Sequence, residues 1–296
     1  MAVQREIDIG LLTARAFPQL QSDYLPLVRE LKARGYRVEP VVWQEHDGEA
    51  LHSFKNLIFC SVWDYQEDYA CFRRWLQEAM TRSNLVNSAR IIEWNIDKTY
   101  MKTLKSAGIP TIPTAWLDKG SPASLPELHF DSKNVVIKPS IGAGSQGMKR
   151  FNLESDAEKT GATEHIGSLA QKSGVMIQPY LPSADKVGEH ALLYFGGRFS
   201  HAIHRPLAGH HAEPDEEVAR VTAIEPSEEA ISIGDKIMEA LPFRPAYMRV
   251  DLLQAEHGSY QLLELEMVEP SLFLAASPGS ERCYVDALEK GGYLAG

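Results

Sequence analysis

Residues 248–274 read MRVDLLQAEHGSYQLLELEMVEPSLFL and place charged side chains within two apolar runs. The runs at 247–253 and 260–266 flank a short polar segment that contains His257 and Gly258. Two such runs joined by a short polar segment with glycine predict a β-hairpin. The chain is therefore expected to contain a largely buried hairpin that carries acidic side chains.

The register of this hairpin brings two carboxylates face to face. A turn centred on the His-Gly pair sets Asp251 opposite Glu264 and Arg249 opposite Glu266, and alternate residues of a strand share a face. Opposed carboxylates destabilise a sheet, and a cation between them removes that cost. Mg²⁺ is commonly held by carboxylate oxygens together with substrate phosphates. An exposed acidic sheet face is the alternative, against which the apolar surroundings and Arg249 argue.

The composition is that of a globular protein and argues against several classes. The 296 residues are 44% hydrophobic and 24% charged, enough for one large domain or two to three small ones. A formal net charge of -10 argues against a nucleic-acid or anionic-membrane binder, although a local basic pocket can hold phosphates.

Cys60, Cys71 and Cys283 have no paired or zinc-like spacing, so we expect reduced thiols in a cytoplasmic protein. The N-terminus lacks a signal-peptide core, and no apolar run approaches the ~20 residues that span a bilayer.

Strands and helices alternate in the N-terminal part of the chain. The predicted order is strand 7–12, helix 24–34, strand 38–43, strand 57–62 and helix 68–80. This alternation predicts a parallel α/β unit, in which ligands bind beyond the carboxyl ends of the strands. Residues 13–15 and 61–65 follow two such ends. They are either substrate contacts or ordinary loop and cap residues.

A glycine-rich loop follows a predicted buried strand in the middle of the chain. The strand VVIKP at 135–139 contains Lys138, and the loop SIGAGSQG occupies 140–147. Glycines let the backbone approach a ligand closely, and successive N–H groups can bind phosphate oxygens. The spacing is neither the Walker pattern nor GxGxxG before a helix, and strand-like residues at 148–151 predict a strand–loop–strand flap. A plain hairpin also has such a loop, but the adjacent lysine favours nucleotide binding.

A domain boundary is expected near 95–110. There a helix at 99–107 ends at Gly108, and the two prolines of GIPTIPTAWL indicate an extended linker. The remaining predicted elements are the helices 162–171, 227–241 and 282–294, the strand 175–180, and the hairpin 187–204 around Gly196-Gly197. Four of the histidines in and after that hairpin are weighed as metal ligands, and their loose spacing favours surface or packing roles over a structural zinc site. They are His201, His204, His210 and His211.

Seven segments of the chain occur in a recognisable order. They are Asp97-Lys98 before a helix that ends at Gly108-Ile109-Pro110, Val136-Ile137-Lys138-Pro139, the glycine flap, Gln178-Pro179-Tyr180-Leu181, Gly188-Glu189, Met248-Arg249-Val250-Asp251 and Leu263-Glu264-Leu265-Glu266. In this order they resemble the ATP-grasp ligases, the superfamily of D-alanine–D-alanine ligase and glutathione synthetase, over nearly the whole chain. Segments 63–65, 94–98 and 269–274 are most similar to small ligases related to the cycloserine-forming enzyme of antibiotic biosynthesis.

The resemblance implies an α/β (α+β) ATP-grasp fold with three parts. Residues 1–95 would form a Rossmann-like N-terminal domain on the substrate side, 96–185 a central subdomain with the flap, and 186–296 a C-terminal subdomain with the metal site. The two subdomains clamp ATP. The implied cofactors are ATP and one or two Mg²⁺ or Mn²⁺ ions, and the implied partners are a small amino-acid-like substrate and, by family habit, a second copy of the chain.

Nucleotide binding is the first role that the resemblance assigns to residues. Lysines contact the α- and β-phosphates, the flap closes over the β- and γ-phosphates, a hinge reads adenine, and a carboxylate binds the ribose. In that order the residues are Lys98 and Lys138; Gly142, Gly144, Ser145 and Gly147; Gln178, Tyr180 and Leu181; and Glu189. The family usually has Glu at the first hinge position, so Gln178 weakens any contact with the adenine amino group.

Metal binding and catalysis are the second assigned role. The implied metal ligands are Asp251, Glu264 and Glu266, the last at a position that is often Asn in the family. Arg249 would stabilise the charge that develops on the transferred phosphate. Arg205 would reach the terminal phosphate.

The activity that the resemblance implies is ATP- and Mg²⁺-dependent formation of a C–N bond. Positioning and charge neutralisation drive phosphoryl transfer to a substrate carboxylate, and an amine then attacks the acylphosphate. In the cycloserine-forming relatives an amino-acid derivative closes on itself, giving D-cycloserine from O-ureido-D-serine. The alternatives are an amino-acid or dipeptide ligase, a small-molecule kinase on the same fold, and a nucleotide-binding regulator without catalysis.

Overall fold

The fold is given by a computed structural model that describes residues 7–46, 48–130, 132–207, 214–255 and 258–296. In these residues the chain forms three β-sheets accompanied by helices, which confirms the predicted α/β class. The first sheet takes its strands from 7–86, the second from 115–179 and the third from 189–266.

The first sheet is parallel and follows the predicted alternation. Its elements are β1 (Ile7–Thr13), α1 (Leu25–Ala33), β2 (Val38–Val42), α2 (Gly48–Leu51), β3 (Phe54–Ser61), α3 (Tyr69–Arg82) and β4 (Asn84–Val86). The strand order is β2-β1-β3-β4, and all three pairs are parallel. Pro40 lies in the edge strand β2, where the missing N–H of proline is tolerated. Helix α1 turns Leu27 and Leu31 into the core.

Two further helices connect the first sheet to the second. Helix α4 (Ala89–Ile96) is absent from the sequence-based prediction, whereas α5 (Tyr100–Ser106) was expected and is followed by Gly108 at φ 84°. Between the two helices, the backbone N–H of Lys98 donates to the Ser140 carbonyl at 2.8 Å. This contact ties the segment with the predicted phosphate-binding lysine to the start of the flap.

The second sheet is antiparallel and carries the flap. Its elements are β5 (Ala115–Leu117), β6 (Asn134–Pro139), β7 (Lys149–Asn152), α6 (Asp156–Ala170) and β8 (Val175–Pro179). The order is β5-β8-β6-β7, and the glycine loop joins β6 to β7 as predicted. Helix α6 begins at Asp156 rather than at 162, because Ser155 caps it by accepting the Glu158 N–H at 3.3 Å.

The third sheet contains the acidic hairpin. Its elements are α7 (Ser183–Lys186), β9 (Glu189–Phe195), β10 (Arg198–Arg205), α8 (Pro214–Arg220), β11 (Thr222–Ile224), α9 (Glu228–Ala240), β12 (Tyr247–Gln254), β13 (Tyr260–Glu266) and α10 (Ser280–Lys290). The strand order is β11-β10-β9-β12-β13. In the hairpin β12–β13, Asp251 faces Glu264 and Arg249 faces Glu266, which confirms the predicted register there. The register shifts beyond Asp251.

Side chains of helices α4 and α5 form hydrogen bonds with the outer edge of strand β13. The Tyr100 hydroxyl donates to the Leu265 carbonyl at 2.8 Å and accepts the Leu265 N–H at 3.0 Å. The Asn95 amide donates to the same carbonyl at 2.7 Å and accepts the Met267 N–H at 2.6 Å. Helices α4 and α5 therefore fix the strand that carries Glu264 and Glu266.

The hydrophobic core joins the first and third sheets. One cluster contains Ile9 and Leu11 of β1, Leu193 of β9 and Tyr284 of α10. A separate cluster fills the second sheet beneath α6. The predicted domain limits at 95 and 185 lie between the strands of successive sheets and stay a prediction.

Candidate active site

A single cleft of about 350 Å³ collects the predicted site residues apart from Gly147. They come from segments that are distant in sequence, namely the second sheet, the third sheet and the connections before them. The predicted residues in its lining are Lys98, Lys138, Gly142, Gly144, Ser145, Gln178, Tyr180, Leu181, Glu189, Arg205, Arg249, Asp251, Glu264 and Glu266. Their individual roles in binding ATP and metal stay predictions.

Arg249 occupies the centre of the acidic hairpin. Its Nε and Nη2 donate to the two Asp251 oxygens at 2.7 and 2.9 Å, and Nη2 also reaches Glu266 Oε1 at 2.5 Å. The guanidinium is only 3% exposed, so these are buried ion pairs. In this structure an arginine relieves the repulsion that the sequence suggested a metal would relieve.

Lys98 joins the other carboxylate of the hairpin to the flap. Its Nζ lies 3.0 Å from Glu264 Oε1 and donates to the Gly142 carbonyl at 2.6 Å. Burial opposes the charged ammonium, but the Glu264 carboxylate outweighs burial and raises the pKa of Lys98. Burial likewise opposes the charge on Glu264, and Lys98 reverses the effect and lowers the pKa of that carboxyl. The pair is therefore held as an ion pair.

The three predicted metal ligands line the cleft but are held by cations of the protein. Within the described residues, no three His, Cys, Asp or Glu side chains are arranged as a ready metal site. The physical reason is that Arg249 holds Asp251 and Glu266, while Lys98 holds Glu264. Burial raises the pKa of Glu266 to about 8. Oxygen donors suit Mg²⁺, so the donor set fits the ion once it displaces these contacts.

Lys138 is a buried cation at the end of β6. It is 8% exposed, and burial lowers its pKa, with the Lys98 charge adding to the effect. Across the described part of the chain, no hydrogen bond of its ammonium group is found. An anionic ligand in the cleft would supply the missing partner, which fits a phosphate group.

The flap combines left-handed backbone with exposed N–H groups. Gly144, Ser145 and Gly147 have φ values of 58°, 59° and 74°. Gly147 lies outside the cleft lining, so the structure does not support the predicted phosphate contact for this residue. A Cβ there would lie 3.2 Å from Leu169 Cδ2, and the Gly147 carbonyl is hydrogen-bonded to His165 Nε2 at 2.8 Å. Gly147 therefore anchors the flap against α6 at its far end.

Glu189 has one satisfied and one unsatisfied oxygen. It is fully buried, and its Oε2 accepts a hydrogen bond from Arg205 Nη2 at 2.8 Å. Its Oε1 has no hydrogen-bond partner in the described residues. Burial raises the pKa of Glu189 to about 7, although Arg205 acts in the opposite direction. An acceptor oriented in this way fits a ligand hydroxyl, such as the predicted ribose.

The predicted hinge lies along the end of β8. The Gln178 amide donates to Thr114 Oγ1 at 3.0 Å, so its side chain is engaged within the protein. The Tyr180 N–H donates to the Asn134 carbonyl at 2.8 Å. Leu181 follows in the cleft lining. This arrangement supports a hinge that works through backbone groups rather than through the Gln178 side chain.

The polar candidates of the first sheet have structural roles. Thr13 donates to the Phe17 carbonyl at 2.7 Å, and Arg15 is an exposed residue that pairs with Glu45. Asp64 accepts the Trp43 Nε1 hydrogen at 2.8 Å and does not line the cleft. These contacts agree with the alternative of ordinary loop and cap residues, and the substrate contacts of this edge stay a prediction. Their neighbours in the 61–65 segment do line the cleft, namely Trp63 and Tyr65.

A loop at 269–275, which the sequence left unassigned, closes the cleft. Long-range contacts hold its backbone in place: Trp63 Nε1 donates to the Glu269 carbonyl at 2.9 Å, and the Tyr24 hydroxyl donates to the Pro270 carbonyl at 2.6 Å. Asp23 accepts the Phe273 N–H at 2.7 Å. We call residues 269–275 the clamped loop. Spacing gives no signal for these contacts, because the partners lie in distant segments.

Histidines of β10 pack within the protein. His201 is buried, and its Nε2 lies 3.0 Å from the Leu272 carbonyl. His204 contacts the Val187 carbonyl. Both contacts agree with the predicted packing role, whereas His210 and His211 lie outside the described residues.

Comparison with known proteins gives a consistent set of matches. A family model described as the N-terminal domain of D-cycloserine synthetase DcsG matches residues 9–87. The cycloserine biosynthesis protein DcsG of Streptomyces lavendulae is 30% identical over 298 residues, covering 95% of this chain and 97% of that protein. A crystal structure of D-cycloserine synthetase DcsG matches with a TM-score of 0.83 at 27% identity, covering 95% of this chain and 98% of that one.

More distant structures share the fold alone. The ATP-grasp ligase PsnB, complexed with its precursor peptide PsnA2 and AMPPNP, matches with a TM-score of 0.61 at 16% identity, covering 98% of this chain and 99% of that one. D-alanine–D-alanine ligase from Bacillus anthracis, complexed with ATP, gives 0.60 at 17% identity, covering 96% of each chain. In the described helices, none combines the length and apolarity that a membrane span requires.

Proposed function

The chain belongs to the family of the cycloserine biosynthesis protein DcsG, and on that premise we propose that it cyclises an amino-acid derivative, forming D-cycloserine from O-ureido-D-serine. Family and fold make it an ATP-grasp enzyme, an ATP-dependent ligase that forms carbon–nitrogen bonds. The observation that carries the proposal is the convergence in one cleft of two buried lysines and the Arg249 cluster.

Nucleotide binding rests on three features of the cleft. Lys138 is a buried cation that a phosphate would neutralise, and the unsatisfied Oε1 of Glu189 would accept a ribose hydroxyl. The consecutive left-handed residues Gly144 and Ser145 offer backbone N–H groups to phosphate oxygens. Lys98 links the flap to Glu264, so we propose that it senses phosphates and closes the flap over them.

Metal binding would rearrange the ion pairs of the hairpin. We assign Asp251, Glu264 and Glu266 as ligands of one or two Mg²⁺ or Mn²⁺ ions, which supply charge neutralisation during phosphoryl transfer. Arg249 would then turn from Asp251 and Glu266 toward the transferred phosphate, with Arg205 beside it. Because Arg249 is already buried in the cleft, a side-chain rotation is enough to redirect its donors.

The proposed chemistry uses electrostatics and positioning. Lys98, Lys138 and Arg249 offset the negative charge that gathers when a substrate carboxylate approaches the terminal phosphate. The activated carboxyl is then attacked by the oxygen-bound nitrogen of the same substrate, which forms the ring C–N bond and releases phosphate. After ring closure, water cleaves the carbamoyl group from that nitrogen, and it leaves as CO2 and NH3. The flap and the clamped loop exclude water that would otherwise hydrolyse the activated carboxyl. The homodimer expected from the family and the cytoplasmic location expected from the cysteine pattern belong to this proposal.

The test is ADP release with O-ureido-D-serine, ATP and Mg²⁺, combined with mass spectrometry of the product. We expect ADP and D-cycloserine to form in equal amounts. Asp251→Asn and Glu264→Gln should each lower turnover about 100-fold or more without loss of fold. Asp118→Asn, an exposed position, is the matched control.

Other products would change the conclusion. An amide formed from two amino acids would identify an amino-acid or dipeptide ligase. ADP with a stable phosphorylated product would identify a kinase. Full turnover in both carboxylate variants would contradict the assigned site.

A further inference from the structure

Glu269 is the one cleft carboxylate of the described residues that has no cation bonded to it. It is 8% exposed and lines the cleft, and no described residue donates a hydrogen bond to its side chain. Each of the other cleft carboxylates has a bonded arginine or lysine. These pairs are Asp251 and Glu266 with Arg249, Glu264 with Lys98, and Glu189 with Arg205.

Hydrogen bonds from distant segments fix the backbone at Glu269. Trp63 and Tyr24 hold the carbonyls of Glu269 and Pro270, and Asp23 holds the Phe273 N–H. These contacts hold the backbone at Glu269 and at the residues that follow it, which restrains a shift of the loop away from the cleft. The first sheet therefore presents this carboxyl group to the cleft.

An unpaired buried carboxyl is costly, and the protein's own cations do not remove that cost. Burial, followed by the nearby Glu266 carboxylate, raises the pKa of Glu269 well above its usual range. Lys98 and Arg249 act in the opposite direction but are bonded to other carboxylates. A ligand that brings a positive charge would complete the site.

We propose that Glu269 binds the ammonium group of the amino-acid-like substrate and so selects amine-bearing substrates. The inference rests on the proposed function and names the group by which the substrate is recognised. Phe273 and Trp63 also line the cleft, and apolar walls strengthen an ion pair by excluding water. An amino acid held there by its ammonium group would lie beside the cluster formed by Arg249 and Glu266.

The test compares two probes that differ in one amino group. D-Cycloserine carries the ammonium group, and isoxazolidin-3-one is the same ring without it. Calorimetric titration of the full chain with Mg²⁺ and AMPPNP should show tighter binding of D-cycloserine. Glu269→Gln keeps the shape of the side chain and removes its charge. This variant should weaken the binding of D-cycloserine about 10- to 100-fold and leave the affinities for isoxazolidin-3-one and AMPPNP unchanged.

Two variants control for structural effects. Glu269→Asp keeps the charge and should retain part of the preference for D-cycloserine, which a purely structural role would not predict. Glu93→Gln alters an exposed carboxylate on α4 and should behave as wild type.

The outcomes separate this inference from the proposed reaction. Equal affinity of the wild type for both probes overturns the inference, as does unchanged D-cycloserine binding in Glu269→Gln. A Glu269→Gln variant that instead loses Mg²⁺ affinity overturns it in favour of a metal ligand. If O-ureido-D-serine yields no ADP while the wild type still prefers the amine-bearing probe, the proposed reaction fails and the role of Glu269 stands.

Discussion

Asp23 gives a pH-dependent prediction for the clamped loop. It is fully buried beneath the loop, accepts the N–H groups of Phe273 and Ala275 at 2.7 and 3.4 Å, and burial raises its pKa to about 6 from 3.8. Because the folded-state pKa is raised, the contribution of Asp23 to stability is largest below pH 3.8 and declines as pH rises through 6. The raised pKa corresponds to about 3 kcal/mol in total, of which about 1 kcal/mol falls between pH 5 and pH 7.

Substitution by asparagine isolates this dependence. Asp23→Asn loses one acceptor oxygen, which costs about 1–3 kcal/mol at every pH, but it has no charge to bury. The stability lost in the variant should therefore shrink by about 1 kcal/mol from pH 5 to pH 7. The free energies of unfolding of wild type and variant are measured by urea titration followed by tryptophan fluorescence, with Asp118→Asn as the exposed control. A loss that grows with pH would refute the reasoning, because it would mean that the N–H groups outweigh burial.

Two other predictions concern the hairpin. Asn95→Ala leaves the buried Met267 N–H without its acceptor and should lower the free energy of unfolding by about 2–4 kcal/mol in urea titrations; a loss below about 1 kcal/mol would contradict the proposed anchoring of β13. Burial raises the pKa of Glu266 to about 8, although Arg249 acts in the opposite direction, so a bound cation that favours the ionised carboxylate should release a proton and bind more tightly as pH rises through 8. Calorimetry of Mg²⁺–ATP binding in buffers of different ionisation enthalpy would detect the released proton. The Glu266→Gln variant should abolish this proton release. Proton uptake in place of release would count against Glu266 as a metal ligand.

Local patterns in the sequence predict much of the fold. The alternation of apolar and charged residues places Arg249 and Asp251 opposite their partners, because a two-residue period fixes which side chains share a face. The register shift after Asp251 escapes this reasoning, since side-chain alternation gives no sign of where pairing changes by one residue. Helix α4 is missed because Ser88, its N-cap residue, makes no side-chain capping bond, and its apolar residues resemble a short buried strand.

The residues of the candidate site are likewise predicted only in part from the sequence. Lys98, Lys138 and the flap are predicted because residue type and order already indicate a phosphate site. The hydrogen bond between Asp64 and Trp43 could not be predicted, because that partner is identified only by the folded structure. Asp23 and Trp63 are missed as anchors of the clamped loop for the same reason: the groups they bind are 250 and 206 residues away along the chain.

The separation between the clamped loop and its anchors has a consequence for the order of folding. Tyr24 and Pro270 are 246 residues apart, so their hydrogen bond closes a very long stretch of chain and costs more entropy than a hairpin contact. The flap hairpin and the β12–β13 hairpin close short stretches and can form early. Refolding chains should thus form the flap hairpin, which contains Lys138, and the acidic hairpin before Glu269 reaches its final position. Nucleotide recognition would mature ahead of substrate recognition, and substrate selectivity would be the last property to appear.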